Sequence, residues 1–146
     1  MILFLNNNMN IIFTDIDGVL NPDLKVRWNQ RCVGVYNRIC DDFDLHPVIT
    51  STWRLKFDIS ELQDLFFRQG ITAEIYDYTP YLRAHRGLEI DEWLMENRWT
   101  KYVVIDDRVD SIIPYVSNVI KCRGWIGLTE EHYDAIKKIM SYGGKR

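Results

Sequence analysis

The sequence predicts an α/β protein with a three-layer, doubly wound parallel sheet of about five strands and helices on both faces. Short apolar runs alternate along the chain with stretches of helical periodicity, and several runs are too continuously apolar to be exposed on one face. Strands and helices that alternate at these lengths form parallel sheets covered by helices, because each connection must return to the same end of the sheet. Such an arrangement is Rossmann-like.

Five apolar runs are predicted to be strands, namely NIIFT (10–14), HPVIT (46–50), ITAEI (71–75), KYVVID (101–106) and NVIKC (118–122). Four helices are predicted from apolar residues that share a helical face. These faces comprise Cys32, Tyr36, Ile39, Cys40 and Phe43; Leu62, Leu65 and Phe66; Ile90, Trp93 and Leu94; and Tyr133, Ile136, Lys137 and Met140. Gly70 is placed to end the second helix, and Thr129 is placed to cap the last.

The composition indicates a single domain over residues 1–146. The chain has 146 residues, of which 47% are hydrophobic, so it can bury its own core. Residues 1–8 are expected to be a flexible extension and residues 141–146 a frayed tail. MILFL is too short for a signal-peptide core, and no apolar run is long enough to span a membrane. We therefore expect a soluble protein with no membrane partner.

Net charge and cysteine usage narrow the possible partners and the cellular location. A net charge of −3, from 18 basic and 21 acidic residues, argues against a protein coated in nucleic acid, although a local basic groove is compatible with it. Cys32, Cys40 and Cys122 are an odd number without paired spacing, and we predict buried free thiols. Free thiols fit a reducing, cytoplasmic location.

The stretch NIIFTDIDGVLNP (10–22) runs an apolar strand directly into two aspartates. Ligands of doubly wound sheets bind outside the carboxyl ends of the strands, where Asp15 and Asp17 are predicted to lie. Gly18 allows the backbone to turn so that both carboxylates face one concavity. A simple turn is the alternative for an isolated DID. An EF-hand is excluded, because the glycine is fourth from Asp15 and the twelfth residue is Val26.

Other predicted strand ends carry matching chemistry. The second strand ends in Thr50 and Ser51, whose hydroxyls and neighbouring amides can cradle an anion. The fourth ends in Asp106 and Asp107, and adjacent acids after an apolar strand need a positive partner such as a hard divalent cation. Arg86, just before the third predicted helix, can supply a fixed positive charge.

With these motifs in order, the chain resembles the haloacid dehalogenase (HAD) superfamily of phosphohydrolases. The matching segments are DIDGVL, Thr50 in VITS, Arg86 in place of the commoner lysine, and VVIDD. Within the superfamily, STWR, TPYLRAHRGLEIDEWL, YVVIDDRVD and GLTEEHYDAI are similar to the HAD domain of Swiss-army-knife RNA repair proteins. The likeness runs from about Met9 to Met140.

The resemblance implies a magnesium-dependent phosphohydrolase that acts through an aspartyl-phosphate intermediate. Asp15 would be the nucleophile and Asp17 the general acid and base. Mg²⁺ would be held by Asp15, the Asp17 carbonyl and an acid of the fourth motif, with Asp107 favoured over Asp106. Thr50, the Ser51 amide and Arg86 would bind phosphate oxygens. Candidate substrate contacts are Trp53, Arg54, Arg83 and Arg108, although packing is the simpler role for the tryptophan.

The predicted substrate is a phosphate at the end of a nucleic acid, with a 3'-phosphate favoured. In this superfamily, selectivity for small molecules commonly comes from a cap domain, and neither Asn21–Trp28 nor Tyr76–His85 has room for one. Two alternatives stay open: a phosphatase of small metabolites or mononucleotides, and a module that binds phosphate ends or a protein without turnover. Asp17 favours the enzyme, because a binding module has no use for a proton donor.

Overall fold

The structure is a computed structural model that describes residues 9–142. Its elements are β1 (Asn10–Thr14), α1 (Gln30–Phe43), β2 (Leu45–Ile49), a 3₁₀ helix (Thr52–Leu55), α2 (Ile59–Arg68), β3 (Asp77–Tyr78), α3 (Arg86–Glu96), β4 (Lys101–Asp106), β5 (Val119–Lys121) and α4 (Glu130–Ser141). The extension expected at residues 1–8, and residues 143–146 of the expected tail, lie outside the described residues. Among the helices described, none is long and apolar enough to cross a membrane.

All five strands are parallel and lie in the order β3-β2-β1-β4-β5. The chain builds outward from β1 to β3 and then returns to the other side of β1 with β4 and β5. The strand order therefore reverses between β1 and β4, which pair in register with Thr14 opposite Ile105. Their adjacent carboxyl ends form the crevice where open α/β sheets bind ligands.

Helices cover both faces of the sheet, as the sequence predicts. Along β1, Ile12 packs on the side of α1, α2 and α4, whereas Ile11 and Phe13 pack on the side of α3. This alternation follows from the two-residue period of a strand. Since β1 and β4 are buried almost throughout, their continuous apolar runs are explained by contacts on both faces.

The third strand is the element that the sequence misplaces. Residues 71–75 were predicted to be this strand, but the strand that forms is Asp77–Tyr78. Side chains rather than a neighbouring strand satisfy the backbone of the predicted segment: Asn37 accepts from Thr72 N at 3.0 Å, and Gln63 accepts from Ile75 N at 2.6 Å. Ile71 and Ile75 are buried, so burial alone accounts for their apolar character.

The ends of the helices follow their predicted signals. Gly70, with φ of 97°, follows α2 in the left-handed conformation that favours glycine. Thr129 caps α4, where its N–H donates to His132 Nδ1 at 2.9 Å. Cys32, Cys40 and Cys122 are buried free thiols.

The start of α3 is packed closely against the segment that follows β4. Gly87 N donates to Ser111 O at 3.0 Å. A Cβ atom on Gly87 would lie 2.7 Å from Ser111 O and 2.9 Å from Ile112 Cα, both backbone atoms. Only glycine allows this approach, which fixes the position of the neighbouring Arg86.

We expect Gly87→Ala to lower the free energy of unfolding by about 1–3 kcal/mol, because the added methyl group overpacks a backbone contact. Gly34→Ala is the matched control: Gly34 lies within α1, and nothing lies within 4 Å of its added Cβ. Gly34→Ala should stabilise the protein by up to about 1 kcal/mol through helix propensity. Urea denaturation of both variants measures the difference, and equal effects would contradict the packing argument.

Candidate active site

Three carboxylates meet at the carboxyl ends of β1 and β4. Asp15 directly follows β1, Asp106 ends β4, and Asp107 comes next. Each offers an oxygen within 4.8 Å of the others. By strand alternation Asp15 lies on the side of Phe13, which is also the side of α3. Asp15 and Asp106 are buried and Asp107 is half-buried, so the chain concentrates negative charge where water screens it weakly.

Arg86, the first residue of α3, lies between two of these carboxylates. Its Nη1 is 2.7 Å from Asp106 Oδ2 and 3.2 Å from Asp15 Oδ1. Burial alone would lower the pKa of Arg86, but the two aspartates outweigh it and raise that pKa. The guanidinium therefore stays charged and holds both strand ends together. The structure thus places Arg86 beside two of the predicted site aspartates, and its role in binding phosphate stays a prediction.

One arginine does not neutralise the cluster. Burial, and secondly the charge of Asp106, raise the pKa of Asp15 to about 8, although Arg86 acts in the opposite direction. The pKa of Asp106 is also raised, chiefly by burial. Carboxylates held this closely are the hard oxygen ligands that Mg²⁺ prefers, and a divalent cation would offset their repulsion. The donor set therefore fits the predicted metal.

Asp106 and Asp107 differ in how their oxygens are used. Asp106 Oδ2 contacts Arg86, and Oδ1 accepts from Arg108 N at 2.9 Å. The Asp107 carboxylate instead lies against two glycines, since a Cβ atom would come within 2.4 Å of its Oδ2 at Gly18 and within 2.8 Å at Gly124. Within residues 9–142, no cationic side chain is within salt-bridge distance of Asp107, which favours this residue as a metal ligand.

Asp17 lies on a tight turn beyond β1. The N–H groups of Val19, Leu20 and Asn21 all donate to Ile16 O, and Gly18 takes a φ of 83°. The backbone is thereby fixed, while the Asp17 side chain is exposed and lines the cleft. Trp53 Nε1 donates to Asp17 Oδ2 at 3.2 Å.

The loop after β2 carries the predicted phosphate-binding residues. Thr50 is fully buried, and its hydroxyl oxygen has no hydrogen-bond partner in the described structure. An orphaned buried hydroxyl costs free energy, which a ligand oxygen would recover. Ser51 is also buried, lines the cleft, and accepts from Trp53 N at 3.2 Å through its Oγ.

Arg54 has a different role from the predicted substrate contact. Its side chain is buried, and all five N–H donors have protein acceptors. These acceptors are the carbonyls of Thr50, Ser51, Thr79 and Pro80 and the carboxylate of Glu89. No donor is left for a substrate, so Arg54 joins the phosphate loop to α3. The sequence did not point to Glu89, although its position one helical turn after Arg86 is the signal that could have found it.

The cleft above the carboxylates has a volume of about 710 Å³. Arg108 lines it and is exposed, as the predicted substrate contact requires. Arg83 is exposed, and its guanidinium lies 6.0 Å from the centre of the Tyr81 ring at the rim. Trp53 is half-buried, with its ring packed at right angles to Trp28 and stacked on Phe57. Trp53 therefore packs against neighbouring aromatic side chains, which is the simpler of its two predicted roles.

The contribution of Gly124 to the cleft could not be found from the sequence. It lies beyond β5, seventeen positions from Asp107, and only the folded chain brings the two together. Tyr81 was likewise missed, because an exposed aromatic residue in a loop has no periodic signal.

A comparison with protein families agrees with this geometry. The family model described as "HAD domain in Swiss Army Knife RNA repair proteins" matches residues 11–133. No curated protein and no solved structure matches the chain significantly. The match covers β1 from its second residue, the other four strands and all the site residues named above, and the chain belongs to this family of HAD domains.

Proposed function

We propose that the chain is a magnesium-dependent phosphomonoesterase that acts through an aspartyl-phosphate on Asp15 and removes a terminal phosphate from a nucleic acid. The observation that carries the proposal is the cluster of Asp15, Asp106 and Asp107 within 4.8 Å, with Arg86 contacting two of them. Membership of a HAD family supports phosphatase-type chemistry.

In the proposed reaction, an Asp15 carboxylate oxygen attacks phosphorus and the bond from phosphorus to the leaving oxygen breaks. Asp17 gives its proton to that oxygen, so an alcohol departs rather than an alkoxide. A water molecule then attacks the phosphorus of the acyl phosphate and gives a proton to Asp17, and the bond to Asp15 breaks. The covalent intermediate divides one difficult displacement into two easier ones.

The surrounding groups would bind the phosphate and balance its charge. Asp15, Asp107 and the Asp17 carbonyl would hold Mg²⁺, with Asp106 behind them, and the ion would supply positive charge against the repulsion between phosphate and carboxylates. The Thr50 hydroxyl and the Ser51 amide would donate to phosphate oxygens, and Arg86 would stabilise charge that develops in the transition state.

The rim of the cleft supports a large substrate. Within residues 9–142, no cap domain follows β1 or β3, so the cleft is open to solvent. Arg108 lines it, and Lys25 and Arg27 are exposed on the loop after β1. Together with the RNA repair proteins named in the family description, these cations favour a nucleic-acid end. We favour a 3'-phosphate. A mononucleotide phosphatase would use the same chemistry.

Asp15→Asn should abolish turnover and leave the protein folded. In the metal-free protein, folded Asp15 keeps its proton up to about pH 8, whereas its ordinary pKa is 3.8. The folded state binds more protons between these values, so wild-type stability falls as pH rises through this window. Asparagine cannot ionise, and the variant should show a shallower slope and an equal or higher melting temperature at pH 8.

Phosphate release in the presence of Mg²⁺ tests the loss of turnover. Thermal melts with chelator between pH 4 and 9 test the expected pH dependence of stability. Wild-type turnover in the variant would refute the nucleophile, whereas an unchanged pH slope would refute only the electrostatic argument.

Activity should require Mg²⁺ and disappear with chelator, and Asp107→Asn should raise the Mg²⁺ requirement more than Asp106→Asn. Loss of a residue behind the ligands typically weakens metal binding by about 10–100-fold through lost orientation. Loss of a direct ligand should weaken metal binding by a larger factor. Titration of phosphate release with Mg²⁺ measures both. The reverse order would reassign the ligand, and full activity in chelator would overturn the metal requirement.

A 3'-phosphorylated RNA oligonucleotide should be hydrolysed with higher kcat/KM than a nucleoside monophosphate, and its binding should weaken with salt. Three phosphate contacts to a single strand predict a logarithmic slope of about −2. Arg108→Gln should reduce the slope, whereas Lys138→Gln, at the far end of α4, should not. A salt-insensitive preference for the monophosphate would overturn the substrate class and leave the phosphatase assignment intact.

A further inference from the structure

Trp53 contacts the one residue of the proposed reaction that must move a proton. Its Nε1 lies 3.2 Å from Asp17 Oδ2. Among residues 9–142, no second donor to the Asp17 carboxylate lies within hydrogen-bonding distance. The indole N–H can only donate, so it takes the oxygen that it contacts as an acceptor in either protonation state of the acid.

The ring that carries this N–H packs against two other aromatic rings. It packs at 90° against Trp28, with 5.6 Å between ring centres, and stacks on Phe57 at 5.9 Å. The backbone of Trp53 is also fixed, because its N–H donates to Ser51 Oγ and its carbonyl accepts from Phe57 N at 3.1 Å. The indole therefore has little freedom to follow Asp17, whereas the exposed Asp17 side chain can adapt to the indole.

We infer that Trp53 is a positioning residue for Asp17: it occupies Oδ2, so that the transferable proton is carried on Oδ1. The inference rests on the proposed function. Trp53 is also two residues from Ser51, which would bind the phosphate. The same short loop would then hold the phosphate and orient the acid that protonates its leaving oxygen. This would fix the distance between the bound phosphate and the Asp17 carboxyl group.

A positioning role differs from a packing role in its dependence on the leaving group. An alkyl phosphate, such as a nucleotide, needs its leaving oxygen protonated, whereas the phenolate of p-nitrophenyl phosphate departs without a proton. General acid catalysis typically contributes about 10²–10⁴-fold, and a misplaced acid loses part of that factor. Only the alkyl substrate should report such a loss in kcat/KM, which covers the steps up to departure of the leaving group.

Trp53→Phe keeps an aromatic ring and removes the N–H. We expect kcat/KM to fall by about tenfold on a nucleoside phosphate and by less than about twofold on p-nitrophenyl phosphate, in the same direction as Asp17→Asn. Trp28→Phe is the matched control. Trp28 belongs to the same aromatic group, and its buried Nε1 has no partner in the described structure. This variant should be less stable with an unchanged ratio between the two substrates.

An independent readout is the indole N–H resonance of Trp53 in a ¹H–¹⁵N spectrum, assigned by its absence in Trp53→Phe. It should shift in Asp17→Asn, while the Trp28 resonance should move less. Equal losses on both substrates in Trp53→Phe, no loss at all, or a changed ratio in Trp28→Phe would overturn the positioning role. If the wild type turns over neither substrate, the proposed function fails and the role fails with it, even where the resonance shift confirms the contact.

Discussion

Three carboxylates share the space where β1 and β4 end, and the repulsion among them constrains everything built around the cleft. Asp15 and Asp106 cannot be moved to solvent, because Asp15 directly follows β1 and Asp106 ends β4, and both strands are buried on two faces. The structure supplies one guanidinium, from Arg86, and shields Asp106 further with the Arg108 amide. Burial, and after it the charge of Asp106, still raise the pKa of Asp15 to about 8, so Arg86 does not fully offset the cost of placing these carboxylates together.

The position of Arg86 depends in turn on contacts that the following residues of α3 make. Gly87 lets α3 approach the Ser111 carbonyl, and Glu89 ties α3 to the phosphate loop through Arg54, at 3.0 Å. Removing one partner of a buried ion pair typically costs about 3–5 kcal/mol, since the other charge is left unpaired. The contact between Arg54 and Glu89 is therefore a rigid link between the residues that would bind phosphate and the arginine that would stabilise its charge.

The sequence predicted best what depends on burial or on a local rule. The apolar runs of β1 and β4 are long and buried on both faces. Asp15 and Asp107 come directly after these runs in the sequence, so the ends of the two strands determine where both residues lie. By contrast, β3 has two residues and no pattern of its own, and Gln63 draws the preceding segment away from the sheet. Neither the burial of Arg54 nor the bond from Trp53 to Asp17 has a local signal, because each depends on which loops the sheet places side by side.

The cleft floor and its rim obey different physical rules. On the floor, where β1 and β4 end, the strand register and the close approach of Gly18 and Gly124 to Asp107 fix the positions of the backbone. On the rim, two exposed residues, Leu24 and Arg83, both take a φ of 53°, a conformation that typically costs such side chains about 1–3 kcal/mol. Buried Asn21 holds the first of these loops, since its side chain bonds both the N–H and the carbonyl of Lys25 at 3.1 Å. A loop fixed in this way presents Lys25 at a defined place, so under the proposed function this loop would help to select the substrate although residues 9–142 contain no cap domain.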